Sequence, residues 1–396
     1  MVSRHIVVIT TSRADYGHLF WPLKDIEAHP NLKLDLVVMG AHLSRAFGET
    51  VNQIQLDGFK ISANIDCLDP EDSDTGMSRT IGLAVEKLTK VLSKLRPDIV
   101  LLIADRYEML APATVALALR IPIAHIEGGD ISEGAIDDAV RNAITKMAHL
   151  HFTPTEEAKR RVLAMGEESW RVFCSGAPSL DHLVRSRLPS KVELEKSLGQ
   201  QLEREICVVA CHPVTLHPDT TAEICALFEA LPSWSNQVVF CFPNADAGSS
   251  ALVERTRAYC SERKNCRLYT NLDHLTYWSL LSHATFILGN SSSGIMEAAS
   301  VPLPAIDIGE RQRGRTRAAN VVHAPSDKDA IIRAMELATS EAFTSRIKGL
   351  ENPYGDGYAS QRIISGLLNA PEKKILLEKK ALPLEPDKNA FLQNMG

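Results

Sequence analysis

Short β-branched runs alternate with segments of helical period along most of this chain, and this alternation constrains the fold more than any other feature. In the first half the runs are HIVVIT, LDLVVMG, PDIVLLIA, IPIAHIE and HLHFTPT, with helical segments such as MSRTIGLAVEKLTKVLSKL between them. Strands that alternate with helices build a parallel sheet, because a parallel connection must cross back over the sheet. The first half therefore predicts an α/β domain with a parallel sheet.

A second series of the same kind follows the charged, weakly apolar stretch 182–204. Its runs are EICVVACHP, QVVFCFPN, NCRLYTN, ATFILGN and LPAIDIG. We therefore expect two doubly wound, Rossmann-like domains, over residues 1–181 and 205–370, joined by a linker with a helix over 182–204. Their cleft should face the carboxyl ends of both sheets, where such folds bind ligands. A tail over 371–396 remains, and its last dozen residues should be mobile.

Composition excludes several classes of protein. The chain has 396 residues and a formal charge of -6, which argues against a nucleic-acid partner. No window holds the roughly 18 uncharged apolar residues of a membrane span, and the start MVSRHIVVITTSRAD indicates a strand instead of a signal peptide. We expect a cytoplasmic protein with no membrane partner. Its eight cysteines stand mostly in apolar runs, so neither disulfides nor a zinc site are expected.

Polar residues gather just after the predicted strands. The clusters are Arg13 and Asp15; Asp105 and Arg106; His125 and Glu127; Asp137, Asp138 and Arg141; His212; Asn244 and Asp246; and Asn290 to Gly294. Because the carboxyl ends of parallel strands lie at one edge of a sheet, these clusters should meet in the cleft. Their number favours a binding or catalytic site over solvated loops.

Two of these segments suit an anionic ligand. GNSSSG at 289–294 leads into the helical pattern IMEAAS, and a helix N-terminus favours a phosphate, although a serine there is also an ordinary N-cap. Glu297, within that pattern, suits ribose hydroxyls or a solvated surface equally. Arginine forks suit a diphosphate, and Arg13, Arg106, Arg313, Arg315 and Arg317 are candidates, unless RQRGRTR is a solvated loop. His5, His18, His29 and His42 are interpreted as ordinary structural or surface residues.

The motifs together resemble one family. SRADY, DRYE, HIEGGD, IDDAVRNAITKMAHLHF, CHPVT, PNADAGS, GNSSSG and a GxRQxGR segment occur in this order. The chain is similar, from about residue 4 to residue 368, to the hydrolysing UDP-N-acetylglucosamine 2-epimerases of sialic-acid biosynthesis. It also resembles related hydrolases of 2,4-diacetamido-2,4,6-trideoxy sugar nucleotides, on the way to legionaminic-type acids. The resemblance implies a glycosyltransferase-B-like fold with a nucleotide-sugar substrate.

The resemblance also implies roles for individual residues. The catalytic carboxylates would be Asp105, Glu127 and Asp138. The residues that bind nucleotide or substrate would be Arg13, Arg106, Arg141, His212, Asn244, Ser291, Ser292, Glu297 and Arg315, with Arg106 close to the reacting sugar. In this interpretation Arg13 meets the diphosphate through its side chain. Two positions depart from the family pattern: Ala104 stands where Gly is usual, and Asn142 where many relatives have His.

The implied chemistry begins with elimination. The C2 hydrogen of a 2-acetamido sugar is not adjacent to a carbonyl, so departure of the diphosphate from C1 must acidify it before a carboxylate removes it. Hydration of the resulting glycal then inverts C2 and releases the free sugar. Three acids in one cleft should keep at least one protonated, and which of them is the base stays open. This scheme requires no cofactor and no metal, and we also expect a homo-oligomer, a dimer or a tetramer.

Three other functions share parts of this pattern. A non-hydrolysing 2-epimerase returns the diphosphate to C1, and a glycosyltransferase moves the sugar without touching C2. A catalytically silent nucleotide-sugar sensor would bind without turnover, which retention of all three carboxylates disfavours. The base of the nucleotide, UDP or GDP, and the sugar substituents at C4 and C6 are not fixed by the sequence.

Overall fold

The computed structural model describes residues 3–214, 222–242, 249–270 and 272–381. The strands in these ranges are β1 (Arg4–Thr10), β2 (Leu32–Met39), β3 (Ile61–Ile65), β4 (Ile99–Ile103), β5 (Ile123–Ile126), β6 (Leu150–Thr153), β7 (Val172–Cys174), β8 (Ile206–Ala210), β9 (Gln237–Cys241), β10 (Cys266–Tyr269), β11 (Phe286–Gly289), β12 (Ala305–Ile308) and β13 (Val321–Ala324).

Helices connect these strands and cover the sheets. Those of the first half and the linker are α1 (Arg13–Ala28), α2 (Val51–Leu56), α3 (Asp74–Leu95), α4 (Leu110–Ala118), α5 (Asp137–Met147), α6 (Glu156–Ala164), α7 (Asp181–Arg185) and α8 (Lys191–Leu198). Those of the second half are α9 (Ala222–Ala230), α10 (Ser249–Ser261), α11 (His274–His283), α12 (Ser293–Met296), α13 (Lys328–Thr339), α14 (Glu341–Arg346), α15 (Ala359–Asn369) and α16 (Lys373–Leu377).

The strands form two parallel sheets. Within the described residues the first has seven strands in the order β3-β2-β1-β4-β5-β6-β7, and the second has six in the order β10-β9-β8-β11-β12-β13. In each sheet the chain starts in the middle, winds to one side and then crosses to the other, so the strand order reverses between β1 and β4 and between β8 and β11. Both reversals open a crevice at the carboxyl ends of the strands. The prediction of two doubly wound sheets is confirmed.

The central strands are buried along their whole length. β4, β8 and β9 have every residue buried, as their apolar runs IVLLI, ICVVA and VVFC lead one to expect of strands covered on both faces. The sequence missed β3, β7 and β13, and all three lie at sheet edges. These strands are short and partly exposed, so their apolar signal is weak.

Residues 359–378 return to the first domain. Ile363, Leu367 and Leu376 are buried in the core of the first sheet, with helix α15 against α1. Arg171, itself buried, donates to the carbonyl oxygens of Leu376 and Glu378 at 2.9 Å each. The sequence placed residues up to 370 in the C-terminal domain, and we propose instead that α15 and α16 belong with the N-terminal one.

Two further observations bear on composition. In the ranges that the structure describes, no helix is both long and apolar enough to cross a membrane. Cysteines 67, 174, 207, 211, 225, 241, 260 and 266 all carry free thiols.

Gly289 ends β11 at the strand-order reversal of the second sheet. Its φ is +143°, and a Cβ there would stand 2.1 Å from the carbonyl oxygen of Ala210, at the end of the neighbouring β8. Only glycine permits this approach, which brings the loops after β8 and β11 together.

Replacing Gly289 by Ala should lower the free energy of unfolding by about 2 kcal/mol or more, through backbone strain and the clash with Ala210. Gly82 in α3 is the matched control, because a Cβ there meets nothing within 4 Å. Gly82→Ala should raise stability by about 0.5 to 1 kcal/mol, since alanine favours the helix. Urea unfolding of both variants tests this, and equal effects would refute the close approach.

Candidate active site

Two adjoining chambers occupy the cleft at the strand-order reversals. The first, of about 820 Å³, is the charged chamber, and its carboxylates and arginines are Asp15, Asp105, Arg106, Glu127, Asp130, Asp137, Arg141, Arg311 and Arg315. The second, of about 810 Å³, is the aromatic chamber, which includes Arg13, His182, His274, Tyr277, Trp278, Ser291 and Glu297. Four residues line both chambers: Ala14, His18, His212 and Ser292. These four mark the passage between the chambers.

Asp15 stabilises the turn after β1, and the side chain of Arg13 in this turn points into the cleft. The Asp15 carboxylate accepts hydrogen bonds from the backbone amides of Thr11 and Ser12 at 2.6 and 2.7 Å. A carboxylate thus fixes the backbone where glycines do so in dinucleotide-binding turns. The Arg13 guanidinium crosses to the other domain and donates to the carbonyl oxygen of Leu272, at the wall of the aromatic chamber.

Arg141 joins two of the three predicted catalytic carboxylates. Its side chain is 1% exposed and donates to Asp105 through Nη2 and to Asp138 through Nη1, the latter at 3.2 Å. Further bonds go to the carbonyl oxygen of Asp130 at 3.0 Å and to Ser132 Oγ at 2.9 Å. These contacts engage both Nη1 and Nη2 of Arg141 with the protein, and substrate binding by Arg141 stays a prediction.

The charges around Asp105 determine its protonation. Burial raises the pKa of this carboxyl, but the positive charges of Arg141, Arg315 and Arg311 outweigh burial and hold the pKa below its usual value. Asp105 is therefore ionised at neutral pH, and it is not the acid that we expected to stay protonated. Asp138, 31% exposed, lies outside the residues that line the charged chamber.

Backbone strain marks the ends of the two strands that carry Asp105 and Glu127. Ala104 has φ of +58° and Glu127 has φ of +65°, a region that costs a residue with a Cβ about 1 to 2 kcal/mol. A positive φ at this position suits glycine, which is the residue that the resemblance leads one to expect there. His125 supports the strained turn, with Nε2 2.8 Å from the carbonyl oxygen of Ala104. Burial lowers the pKa of His125 to about 3, so it is neutral.

His18 is a cleft residue that the sequence interpretation missed. Its Nδ1 lies 2.7 Å from Glu127 Oε1, and its Nε2 lies 3.6 Å from Glu297 Oε1. His18 was taken for an ordinary structural or surface residue because a lone histidine on an amphipathic helix carries no motif. Its place one turn after Asp15 on α1 was the available signal.

A reciprocal pair of hydrogen bonds joins the loops after β8 and β11. The backbone N–H of His212 donates to Asn290 Oδ1 at 2.7 Å, and Asn290 Nδ2 donates to the carbonyl oxygen of His212 at 2.9 Å. Burial, together with the charges of Arg311, Arg106 and Arg13, holds the pKa of His212 well below its ordinary value. His212 therefore faces the passage between the chambers as a neutral imidazole.

The serine loop reaches the cleft as predicted, but its helix is short. Ser291 lines the aromatic chamber and Ser292 lines both chambers. The helix that follows, α12, has only four residues, so the predicted helix-dipole contribution to phosphate binding is small. Glu297, predicted as a ribose ligand or a surface residue, is buried and accepts a hydrogen bond from Ser179 Oγ at 2.7 Å.

The arginines of RQRGRTR divide into two groups. Arg311 and Arg315 line the charged chamber, where they form ion pairs with Asp137 and Asp130 at 3.2 and 3.3 Å. Arg313 is 63% exposed and pairs with Glu133 and Glu310, and Arg317 pairs with Asp307. Neither Arg313 nor Arg317 lines either chamber. Arg311, which the sequence interpretation did not single out, lines the charged chamber.

The remaining predicted positions are placed as follows. Arg106 is buried in the charged chamber and donates to Glu108 at 2.9 Å. Asn142, at the position of the family's histidine, donates to Asp138 Oδ2 at 3.1 Å. Asn244 and Asp246 lie outside the described residues. Within the described ranges, no three His, Cys, Asp or Glu side chains are grouped to hold a metal ion.

Two Rossmann-like sheets face a cleft, in which arginines and carboxylates line one chamber and aromatic side chains line the next. This arrangement is typical of proteins that process nucleotide-linked ligands. The sequence pattern of the UDP-N-acetylglucosamine 2-epimerases matches residues 24–368. The chain belongs to this family.

Named relatives agree with this assignment. The GDP/UDP-N,N'-diacetylbacillosamine 2-epimerase (hydrolyzing) of Campylobacter jejuni is 34% identical, over 97% of this chain and 100% of the relative. The UDP-N,N'-diacetylbacillosamine 2-epimerase (hydrolyzing) of Legionella pneumophila is also 34% identical, over 95% of this chain and 98% of the relative.

Solved structures share the fold. The UDP-GlcNAc 2-epimerase of Methanocaldococcus jannaschii, solved in complex with UDP-GlcNAc and UDP, superposes with a TM-score of 0.76 at 19% identity. The match covers 92% of this chain and all of that one. The expected glycosyltransferase-B-like architecture is therefore confirmed.

Replacing Arg141 by Met should lower the free energy of unfolding at pH 7 by about 3 kcal/mol or more, because two carboxylates lose their buried cation. Asp105 has a lowered pKa when folded, so its pairing adds stability above the unfolded-state pKa of about 3.9, and this stability is lost as the pH falls further. In Arg141→Met, protonation of Asp105 removes its unpaired negative charge. The difference in free energy of unfolding between this variant and the unmodified protein should therefore shrink between pH 7 and pH 4.

The matched control is Arg79→Met, which removes an exposed pair with Glu71 whose N–O distance is 2.7 Å. Such a pair contributes about 1 kcal/mol or less, so its loss should be small at every pH. Denaturant unfolding at several pH values provides the comparison. An Arg141→Met deficit no larger than the control's would contradict the role of Arg141.

Proposed function

We propose that this protein is a hydrolysing nucleotide-sugar 2-epimerase, which converts UDP-N-acetylglucosamine or a 2,4-diacetamido-trideoxy analogue to the free C2-inverted sugar and UDP. The observation that carries the proposal is the charged chamber, which Asp105, held ionised, and Glu127 share with Arg106, Arg311 and Arg315. Carboxylates suit the proton transfers at C2, and arginines suit the charge of a departing diphosphate.

The two chambers suit the two ends of such a substrate. The nucleoside would lie in the aromatic chamber, with its ribose near Glu297, and the sugar would lie in the charged chamber. The diphosphate would then cross the passage lined by His18, His212 and Ser292. In this placement Arg13 approaches the nucleotide from the first domain. A neutral His212 can donate or accept one hydrogen bond to the substrate, and it is not repelled by the charge of Arg311.

The first chemical step is an elimination. As the C1–O bond breaks, its electron pair leaves with the diphosphate, and positive charge at C1 acidifies the C2 hydrogen. A carboxylate of the chamber removes that proton, and a C1–C2 double bond forms. Arginine side chains stabilise the negative charge on the leaving diphosphate most strongly as it departs, which lowers the barrier.

The second step is a hydration of the 2-acetamidoglucal. Water adds its hydroxyl to C1, and a proton is delivered to C2 from the face opposite to the one it left. One water is consumed, and the products are the free sugar with inverted C2 and UDP. Asp105, Glu127 and Asp138 remain our candidates for this proton handling. The ionised state of Asp105 suits it to accept a proton or stabilise C1, and the other two assignments stay open.

Hydrolysis is preferred over return of the diphosphate to C1. Two relatives at 34% identity carry the description hydrolyzing in their names, and these names also direct attention to 2,4-diacetamido sugars. A cytoplasmic location and a homo-oligomeric state, dimer or tetramer, are part of the same proposal. Released diphosphate, scored on a panel of UDP- and GDP-linked N-acetyl sugars, would identify the substrate.

Turnover in heavy water should place deuterium at C2 of the released sugar, because the proton removed is not the proton returned. The product should be a free sugar, in equal amount to UDP, as read by NMR and mass spectrometry. Asp105→Asn should lower turnover by about 100-fold or more, and Asp329→Asn, on the exposed face of α13, should not. A product still joined to UDP would indicate a non-hydrolysing epimerase, and binding without turnover would indicate a sensor.

Replacing Arg13 by Ala should weaken UDP binding by about 1.5 to 3 kcal/mol, the contribution of a charge-assisted contact. Arg313→Ala is the matched control, because Arg313 is exposed and pairs outside both chambers. Its UDP affinity should equal that of the unmodified protein. Calorimetry measures both, and unchanged affinity in Arg13→Ala and in a Ser291/Ser292 double alanine variant would contradict this placement.

A further inference from the structure

His18 stands at the passage between the chambers and faces one carboxylate from each domain. Nδ1 lies 2.7 Å from Glu127 Oε1, at the end of β5, and Nε2 lies 3.6 Å from Glu297 Oε1, at the end of α12. The side chain is 22% exposed, whereas the two carboxylates are 9% and 8% exposed. Among the described residues, His18 is thus an ion-pair partner that both of these buried acids share.

The two distances favour a proton on both ring nitrogens. Nδ1 is within hydrogen-bond distance of Glu127 Oε1, whereas Nε2, at 3.6 Å, is within ion-pair distance of Glu297 Oε1 but beyond a hydrogen bond. A neutral imidazole carries one N–H and one lone pair, so one of its nitrogens would present a lone pair to a carboxylate oxygen. The imidazolium presents an N–H to each carboxylate and removes this repulsion. It also leaves Glu127 and Glu297 with one shared positive charge between them.

We propose that His18 is a positioning residue whose imidazolium holds Glu127 against the charged chamber and ties it, across the cleft, to Glu297 in the aromatic chamber. The proposal rests on the proposed function, in which Glu127 handles protons and Glu297 lies near the ribose. Occupation of the nucleoside end would thereby be linked to the orientation of a carboxylate at the sugar end.

The surrounding charges support a protonated state. Burial alone lowers the pKa of His18, but the charge and hydrogen bond of Glu127, and the charges of Glu297 and Asp15, raise it to about 9. Asp15 lies one turn earlier on α1. His182 on α7 is a neighbouring imidazole, and its pKa is lowered to about 3, mainly by burial and in part by the charge of His18. The charged chamber beyond Glu127 also holds Asp105, Arg106 and Arg141.

Glu297 has a second partner that fixes it for this contact. Ser179 Oγ donates to the same Oε1 atom at 2.7 Å, from the short turn that precedes α7. Because Ser179 and His18 both come from the N-terminal part of the chain, Glu297 is held from across the cleft on two sides. The contacts of His18 and Ser179 with Glu297 therefore exist only when the two domains face each other as they do here, and His18 carries this dependence to Glu127.

NMR titration of the intact protein tests the charge without turnover. The imidazole resonance that disappears in His18→Gln should titrate well above pH 6.5, near pH 9. Glu127→Gln should move this titration toward 6.5 by more than Glu297→Gln does, because the distance to Glu127 is 0.9 Å shorter. A titration at or below pH 6.5, or no response to either variant, would overturn the proposal even if the proposed reaction is correct.

Kinetics test the consequence for catalysis. His18→Gln keeps a donor without the charge, so kcat should fall at least tenfold while KM and UDP affinity change less than threefold. His18→Lys keeps the charge, so it should recover part of kcat and move the loss of activity at alkaline pH upward, toward the lysine value of about 10.4. If the role of His18 were purely structural, kcat would fall equally in both variants and the pH profile of kcat would not move. A wild-type kcat in His18→Gln would refute the proposal.

Failure of the proposed function would be visible separately. If the unmodified protein releases no free sugar from any nucleotide sugar, the reaction is wrong, whereas the NMR titration still decides whether the imidazolium bridge exists. Thermal unfolding of each variant verifies that it folds before its kinetics are compared. If a variant does not fold, the titration of the unmodified protein remains decisive.

Discussion

The buried guanidinium of Arg141 is the interaction on which the site depends. It reaches Asp105 after β4, Asp138 in α5 and the carbonyl oxygen of Asp130 in the loop between them. An ion taken out of water loses several kcal/mol of solvation, which only several well-placed partners offset. Arg141 has those partners, so the loops after β4 and β5 are tied to one another. The chamber wall is thus fixed by electrostatics as well as by apolar packing.

Contacts across the cleft extend this arrangement to the second domain. Asp137 pairs with Arg311, and Asp130 pairs with Arg315, whose side chain is 7% exposed. The third pair, Glu133 with Arg313, is largely exposed and contributes about 1 kcal/mol or less. The buried pairs therefore carry most of the electrostatic link between the domains. If these arginines meet a diphosphate, as the proposed function has it, substrate binding would exchange some of these protein contacts for contacts to phosphate.

Backbone strain at two residues and the neutral state of two histidines are further features of the site. Ala104 and Glu127 hold left-handed backbone conformations at the ends of adjacent strands, and such strain persists where surrounding structure fixes it. His125 beneath them and His212 opposite them are both kept neutral, and burial is the first cause in each case. The imidazoles of the cleft therefore differ in charge although their sequence contexts look alike. What separates His18 from them is the pair of carboxylates that it faces.

The sequence by itself determined the two parallel sheets, the order of the motifs and the edge of the sheets at which they lie. Apolar runs of strand length and helical periods are local patterns, so they can be read directly from the sequence. Only the tertiary structure decided that Arg311 lines the chamber while Arg313 and Arg317 do not, and that α15 returns to the first core. It also decided that His18 meets Glu127, 109 residues away. Such pairings depend on distances between atoms of different elements, and spacing along the chain does not record these distances.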